Sequence, residues 1–206
     1  MLNPTLWALE IYYLLAIAVD SFTGYNFYMK KPYLDNHTKL DEPALQRAFI
    51  YNLNKIHPLL IKFKNQLSYL ADESCYGDLE NAIQELSAEV ESHVARIDII
   101  FNTLHKNPDM QHSTSTQSIL SVLVPDENSY LQDNLSKDLS LVFYIQKILS
   151  VKKFYYSTLK SIAGSLNNID IKQYLQYSYD ECESNQTMFK LIAKEYMESS
   201  INPFLC

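Results

Sequence analysis

The sequence is poor in glycine and proline. Only three of its 206 residues are glycine and seven are proline. Turn-rich β-sandwiches and β-barrels use both residues in quantity, so their scarcity argues against these folds. An all-α protein is therefore the prediction, and a chain with 47% apolar residues can bury a substantial core.

Cysteine and positive charge are also scarce. The cysteines are Cys75, Cys182 and Cys206, an odd number without metal-ligand spacing, which argues against both a disulfide framework and a zinc site. A reducing, cytoplasmic location is the expectation. Seventeen Lys and Arg against 24 Asp and Glu give a net charge of −7, which disfavours nucleic acid as a partner.

The chain also lacks an apolar run long enough for a membrane span. Its most apolar stretch, residues 6–19, contains Glu10 and falls short of the roughly 20 residues that a span needs. It predicts an additional N-terminal helix instead. We expect residues 1–40 to form this apolar helix and an extended linker, both packed on the main domain.

Four long segments carry apolar residues at helical spacing, about every 3.5 residues. These apolar stripes predict helices over residues 41–70, 78–104, 129–166 and 170–196. Pro58 predicts a kink between Asn54 and Pro58, or a later start of the first helix. Asp78 is the expected N-cap of the second helix, and Gly164 with Asn167 marks the end of the third.

The connections between these segments predict their topology. Residues 71–77 and 167–169 are short links, so the helices on either side of each should form antiparallel hairpins. Residues 108–134 predict a long crossover with one or two short helices. Two antiparallel hairpins joined by a long crossover define a ferritin-like four-helix bundle, here expected over residues 41–206.

An internal repeat supports this division into two hairpins. A shift of 92 residues places Asp78 on Asp170 and Glu89 on Glu181, and it maps every stripe position of the second helix onto one of the fourth. We interpret the repeat as a duplicated hairpin.

Polar residues interrupt the apolar stripes near the middle of the helices. Glu89 and Glu181 flank the stripes, His93 and Asn185 lie four residues further on the same faces, and Lys152 is central in the third helix. Ferritin-like bundles build metal sites from carboxylates and histidines at such positions.

Four stretches of the chain match a known family. They are Tyr51-Asn-Leu-Asn-Lys55, Glu89-Val-Glu-Ser-His93-Val-Ala-Arg-Ile97, Gln146-Lys147 and Tyr179-Asp-Glu181. Through them the chain resembles the YciE/YciF group of ferritin-like bacterial stress proteins, over about residues 48–197. The resemblance implies a bundle that often pairs into dimers, with a possible two-metal carboxylate site and no settled enzymatic activity.

The chain departs from the pattern of that group at several ligand positions. Asn54 stands where the group has a glutamate, and Leu149, Ser150 and Lys152 or Lys153 stand where it has a Glu-His cluster. Only Glu89, His93 and Glu181 carry over as credible ligands, whereas a two-metal site needs about four carboxylates. We therefore expect no metal centre and no cofactor.

In this interpretation Asn54, Lys152 and Asn185 occupy lost ligand positions, and Lys152 forms an ion pair with Glu89 or Glu181. An alternative is that His93 and Lys152 are polar residues that set the register of the bundle or point to solvent.

The functional hypothesis is a non-catalytic bundle, stress-associated or scaffolding, with no catalytic residue and no known small-molecule ligand. It would act through homodimer or other homo-oligomer contacts made by the N-terminal helix and tyrosine-rich faces. Two alternatives stay open. One is a metalloprotein with an atypical iron or manganese site formed by Glu89, His93 and Glu181; the other is a small-molecule pocket ringed by His93, Lys152 and Asn185.

Overall fold

The computed structural model describes residues 39–109 and 133–201, with side chains to residue 198. Within these ranges the chain forms four helices and no strand, which confirms the all-α bundle. The helices are α1 (Glu42–Glu73), α2 (Gly77–Thr103), α3 (Asn134–Ser165) and α4 (Ile169–Ile201). The predicted N-terminal helix and linker, and the short helices predicted within the crossover, lie outside the described residues.

Local capping signals explain where α1 and α3 begin. The Asp41 carboxylate accepts a hydrogen bond from the Ala44 amide at 2.8 Å, and Pro43 lies in the first turn. The Asp133 carboxylate does the same for the Ser136 amide at 2.8 Å. Each side chain satisfies an amide that the first turn of a helix leaves without a partner.

The prediction that Asp78 caps α2 is wrong. The helix begins at Gly77, its N-cap residue Tyr76 makes no side-chain cap, and Asp78 lies in the first turn. The cap comes from another helix: the buried carboxylate of Asp138 in α3 accepts hydrogen bonds from the amides of Cys75 at 2.8 Å and Tyr76 at 3.0 Å. Asp78 can still favour the helix through its dipole.

Pro58 does not delay the start of α1, so that alternative is also wrong. The helix runs without interruption from Glu42 to Glu73 with Pro58 inside it. The predicted end of α3 is confirmed, because the helix stops at Ser165 and Asn167 adopts a left-handed backbone with φ of 54°.

The four helices belong to one compact unit that begins at Asp41. Within each hairpin the helices pack along their length, and the hairpins meet where α1 lies on α3 and α2 lies on α4. Stripe residues that are completely buried form much of the core, among them Leu53, Ile83, Ile145, Leu159 and Phe189. None of the described helices is long and apolar enough to cross a membrane.

Candidate functional site

Polar side chains gather in the middle of the bundle, between α2, α3 and α4. Residues spaced by three or four positions on each helix share a face, which brings them together. We call this set the central cluster; its members are Glu89, His93 and Arg96 of α2, Lys152 and Tyr156 of α3, and Ser178, Glu181, Cys182 and Asn185 of α4.

Glu181 is the most heavily bonded member. Its Oε2 lies 2.7 Å from His93 Nε2, and the Arg96 guanidinium donates to both carboxylate oxygens, with Nη2 to Oε1 at 2.8 Å. Burial alone would raise the pKa of Glu181, but the hydrogen bonds from His93 and Arg96 lower it to about 2. Glu181 is therefore ionised at neutral pH, and both of its oxygens are engaged.

Glu89 makes the equivalent contact in the other hairpin. The Asn185 amide Nδ2 donates to Glu89 Oε2 at 2.5 Å. The shift of 92 residues places Glu89 on Glu181 and His93 on Asn185, so the two pairs occupy corresponding positions of the repeat. Each hairpin thus contributes one carboxylate and one partner for the carboxylate of the other hairpin.

Lys152 is completely buried, and its Nζ has no hydrogen-bond partner. It lies 5.6 Å from the centre of the Phe63 ring of α1. Burial lowers the pKa of Lys152, and the Cys182 thiol and the Glu89 carboxylate act in the opposite direction. The amine therefore loses its proton more readily than that of an exposed lysine.

The hypothesis that Lys152 forms an ion pair with Glu89 or Glu181 is wrong. Arg96 and His93 occupy Glu181, and Asn185 occupies Glu89, so neither carboxylate needs the lysine. The alternative that His93 or Lys152 points to solvent is also wrong, because both side chains are 0% exposed.

His93 is neutral in this environment. Burial, followed by the nearby charge of Lys152, lowers the pKa of His93 to about 4. Its ring meets Tyr156 edge to face with centroids 5.3 Å apart, and burial raises the pKa of Tyr156 well above its usual value. Neither His93 Nδ1 nor the Tyr156 hydroxyl has a hydrogen-bond partner.

Three residues of the central cluster have the chemistry of metal ligands. Glu89, His93 and Glu181 each offer a ligand atom, and these atoms lie within 4.8 Å of one another. However, the Arg96 guanidinium would compete with a cation for the Glu181 carboxylate. In this layer α1 contributes the apolar ring of Phe63, which lies next to Lys152. The two carboxylates of the central cluster are therefore bound by side chains of the protein itself.

The structure separates Asn54 from the central cluster, contrary to the expectation that it occupies a lost ligand position of the same site. The contacts His57–Asp98 and Lys64–Glu91 set the register of α1 against α2. Asn54 is then level with residue 101, roughly 18 Å from Glu89 at about 1.5 Å per residue. Its Oδ1 accepts a hydrogen bond from the Asp109 amide at 2.9 Å.

A pocket of about 810 Å³ lies near the Asn54 end of the bundle rather than at the cluster. Phe49, Ile50, Leu104 and Leu166 form much of its wall, and neither His93, Lys152 nor Asn185 lines it. This pocket is therefore not the one that the sequence suggested for a small molecule.

Sequence reasoning missed Arg96, Tyr156 and Asp138 as functional or structural contacts. Arg96 follows His93 by three residues and Tyr156 follows Lys152 by four, so helical spacing could have found both. Asp138 precedes the stripe residue Leu141 by three, which was a signal that a carboxylate would be buried.

Two antiparallel hairpins that bring carboxylates and a buried histidine together at mid-helix define a ferritin-like bundle. Residues 44–202 match DUF892, a domain of unknown function. Because the match covers most of the sequence, the chain belongs to this family, and the resemblance to the YciE/YciF group is confirmed.

Solved structures show the same fold. The Escherichia coli stress protein YciF superposes with a TM-score of 0.67 at 16% identity, over 75% of this chain and 97% of that one. YcfI from Rhodopseudomonas palustris gives 0.65 at 17% identity, over 77% and 98%. No curated protein matches the sequence.

Proposed function

We propose that this chain is a non-catalytic ferritin-like bundle that acts as a scaffold or structural protein through contacts with a second copy of itself. The observation that carries the proposal is the Arg96 guanidinium bound to both oxygens of Glu181. Internal contacts do here what a metal ion does in ferritin-like metalloproteins, because Arg96 and His93 hold the Glu181 carboxylate and Asn185 holds that of Glu89.

Charge balance supports this interpretation. Glu89 and Glu181 supply two negative charges, while Arg96 and the Lys152 amine lie in the same layer. A divalent cation would have to displace Arg96 from Glu181. Breaking this partly exposed ion pair costs about 2 kcal/mol, and two carboxylates offer a cation little in return.

Exposed aromatic side chains on α1 and α3 support the contact with a second copy. Phe154 is 64% exposed and Tyr51 54% exposed. Phe154 packs edge to face on Tyr155 with centroids 5.8 Å apart. Burial raises the pKa of Tyr155, and Tyr51 lies close enough to add to this increase. We name Tyr51, Phe154 and Tyr155 the aromatic face; such residues are enriched at protein interfaces.

A stress-associated role in the cytoplasm is part of the same proposal. One structural relative is described as a stress protein. Cys75 and Cys182 are free thiols, which suits a reducing compartment.

Metal quantification tests the proposal. The protein is purified without chelator and its iron and manganese are measured before and after incubation with ferrous iron or manganese(II). We expect less than stoichiometric metal in the wild type and no change in Glu89→Ala. Near-stoichiometric metal that Glu89→Ala abolishes would contradict the proposal.

Arginine variants add a matched pair to this experiment, because Arg47 and Arg96 are the only arginines in the sequence. Arg96→Leu releases Glu181, whereas Arg47→Leu changes a residue at the far end of α1. If Arg96 is what excludes metal, Arg96→Leu gains metal affinity and Arg47→Leu does not.

A metalloprotein is the second candidate, favoured by the 4.8 Å spacing of the three ligand atoms. In that case Glu89, His93 and Glu181 would bind one iron or manganese ion, which supplies oxidase or peroxide chemistry when bound. The same metal measurement separates the two candidates.

A further inference from the structure

The pocket near the Asn54 end of the bundle has a wall that suits an apolar ligand. Its volume of about 810 Å³ falls within the range of small-molecule sites. The buried side chain of Phe49 and the half-buried side chains of Ile50, Leu104 and Leu166 form the apolar part of this wall. A compound that fills the pocket therefore needs an apolar body.

Two turns of similar construction build one part of the wall. Residues 104–106 follow α2 and residues 166–168 follow α3, and each turn places its first and its third residue in the lining. The middle residues, His105 and Asn167, have left-handed backbones with φ of 52° and 54°. In each turn the amide of the third residue donates to a carbonyl of the preceding helix, at 3.0 and 3.1 Å. The backbone thus fixes both parts of the wall before a ligand binds.

Two carboxamides in the lining offer hydrogen-bond donors. Asn54 Oδ1 accepts a hydrogen bond from the Asp109 amide at 2.9 Å, and Asn168 Oδ1 accepts one from the Ile171 amide at 3.2 Å. Because a backbone amide engages the oxygen of each carboxamide, its Nδ2 is the atom that can donate to a ligand.

The charged residues of the lining favour an anion. Arg47 and Lys106 both line the pocket, and within residues 39–109 and 133–198 neither side chain forms an ion pair or hydrogen bond. The Glu42 carboxylate, which also lines the pocket, accepts a hydrogen bond from Gln46 Nε2 at 3.2 Å. A guanidinium, an ammonium and amide donors together form a lining that binds a carboxylate.

We propose that this pocket binds a free fatty acid. The alkyl chain lies along the apolar wall, and Arg47 and Lys106 bind the carboxylate. A nucleotide or a sugar phosphate would satisfy the cations but would leave the apolar wall in contact with water, which is unfavourable. The inference goes beyond the proposed function, because neither metal content nor oligomeric state reports on this pocket.

Calorimetric titration of the full-length protein with sodium decanoate, below its micelle concentration, tests the proposal. We expect saturable binding of one molecule per chain. Decyltrimethylammonium has an alkyl chain of the same length with the opposite charge, and it should bind about tenfold more weakly or not at all. Equal affinity for the two compounds, or uptake of decanoate without saturation, would overturn the proposal.

Variants assign the binding to the pocket. Arg47→Gln and Lys106→Gln each remove one positive charge from an exposed side chain and should weaken decanoate binding about tenfold. Lys194→Gln is the matched control, because it removes an exposed cation from the C-terminal half of α4, the helix that begins beside the pocket. Equal affinity in Arg47→Gln, Lys106→Gln and the control would refute the assignment.

A filled pocket and a lipid surface complete the test. Leu104→Trp adds bulk to the wall and should abolish binding; if this variant does not fold, the charge variants decide the matter. Cosedimentation with vesicles of phosphatidylglycerol and phosphatidylcholine distinguishes a free fatty acid from a membrane lipid. We expect no cosedimentation, and vesicle binding that Arg47→Gln abolishes would overturn the proposal in favour of a membrane lipid.

Discussion

Arg96 bonds to both oxygens of the Glu181 carboxylate. Its guanidinium has the planar geometry that matches both oxygens of a carboxylate, and it also donates to Ser178 Oγ at 3.2 Å. A lysine in the same place could offer only a point charge. Lys152, buried in the same layer, makes no hydrogen bond to Glu181.

Arg96→Leu should lower the free energy of unfolding by about 2 kcal/mol, which urea denaturation can measure. The value lies below that of a fully buried pair, because 34% of the Glu181 side chain is exposed. The double variant Arg96→Leu/Glu181→Leu should recover much of the loss. An equal loss in Arg47→Leu would show that the effect does not arise from the ion pair.

His93 should make the protein less stable in acid. Its pKa falls from 6.5 to about 4 on folding, so the unfolded chain takes up a proton at a pH where the folded chain does not. Stability due to neutral His93 is full above pH 6.5 and is lost as the pH falls toward 4. Thermal unfolding across this range should show the loss in the wild type and a flatter profile in His93→Gln; equal profiles would refute the assignment.

At the scale of elements, α2 depends on α3 for its N-terminal cap. Both carboxylate oxygens of Asp138 accept backbone amides from the turn that precedes α2, at 2.8 and 3.0 Å. The first hairpin therefore completes its own turn only when the second hairpin is in place. This coupling favours cooperative folding of the two hairpins.

Asp138→Ala should lower the free energy of unfolding by about 3 kcal/mol, because two backbone amides lose a buried carboxylate acceptor. Asp133→Ala removes an exposed cap within α3 and should cost only about 1 kcal/mol. Denaturation gives both values, and hydrogen exchange should show faster exchange at Cys75 and Tyr76 in Asp138→Ala alone. Similar costs for the two variants would argue against the cap.

The same elements show what a sequence can predict. The helices and their order follow from the apolar stripes, and Asn167 marks the end of α3, because these signals lie within a few neighbouring residues. The cap of α2 and the partner of Glu181 could not be predicted, since each contact joins residues more than 60 positions apart. Such contacts depend on how each helix is rotated about its axis. The position of Asn54 outside the central cluster could not be predicted either, because it depends on the register of α1 against α2.

At the scale of the whole molecule, the aromatic face gives the bundle a side that a second copy can cover. Phe154→Glu and Tyr51→Glu place charge in this face and should convert an oligomer to a monomer, measured by light scattering after size-exclusion chromatography. Leu191→Glu is the matched control, because Leu191 is 62% exposed on α4, away from the face. A wild-type monomer, or an oligomer that survives both substitutions, would contradict the proposed contact.

Asp138 also determines how the bundle responds to mechanical load. At the Asp138 end of the bundle, three contacts join the hairpins: the Asp138 hydrogen bonds, the Lys137–Glu73 ion pair at 2.9 Å, and the tilted ring contact between Tyr76 and Tyr196. At the other end, the described residues place an open, largely apolar pocket between the hairpins. A force that pulls the hairpins apart should therefore separate them first at the pocket end. The hydrogen bonds of the central cluster are then the first polar contacts between the hairpins that must break.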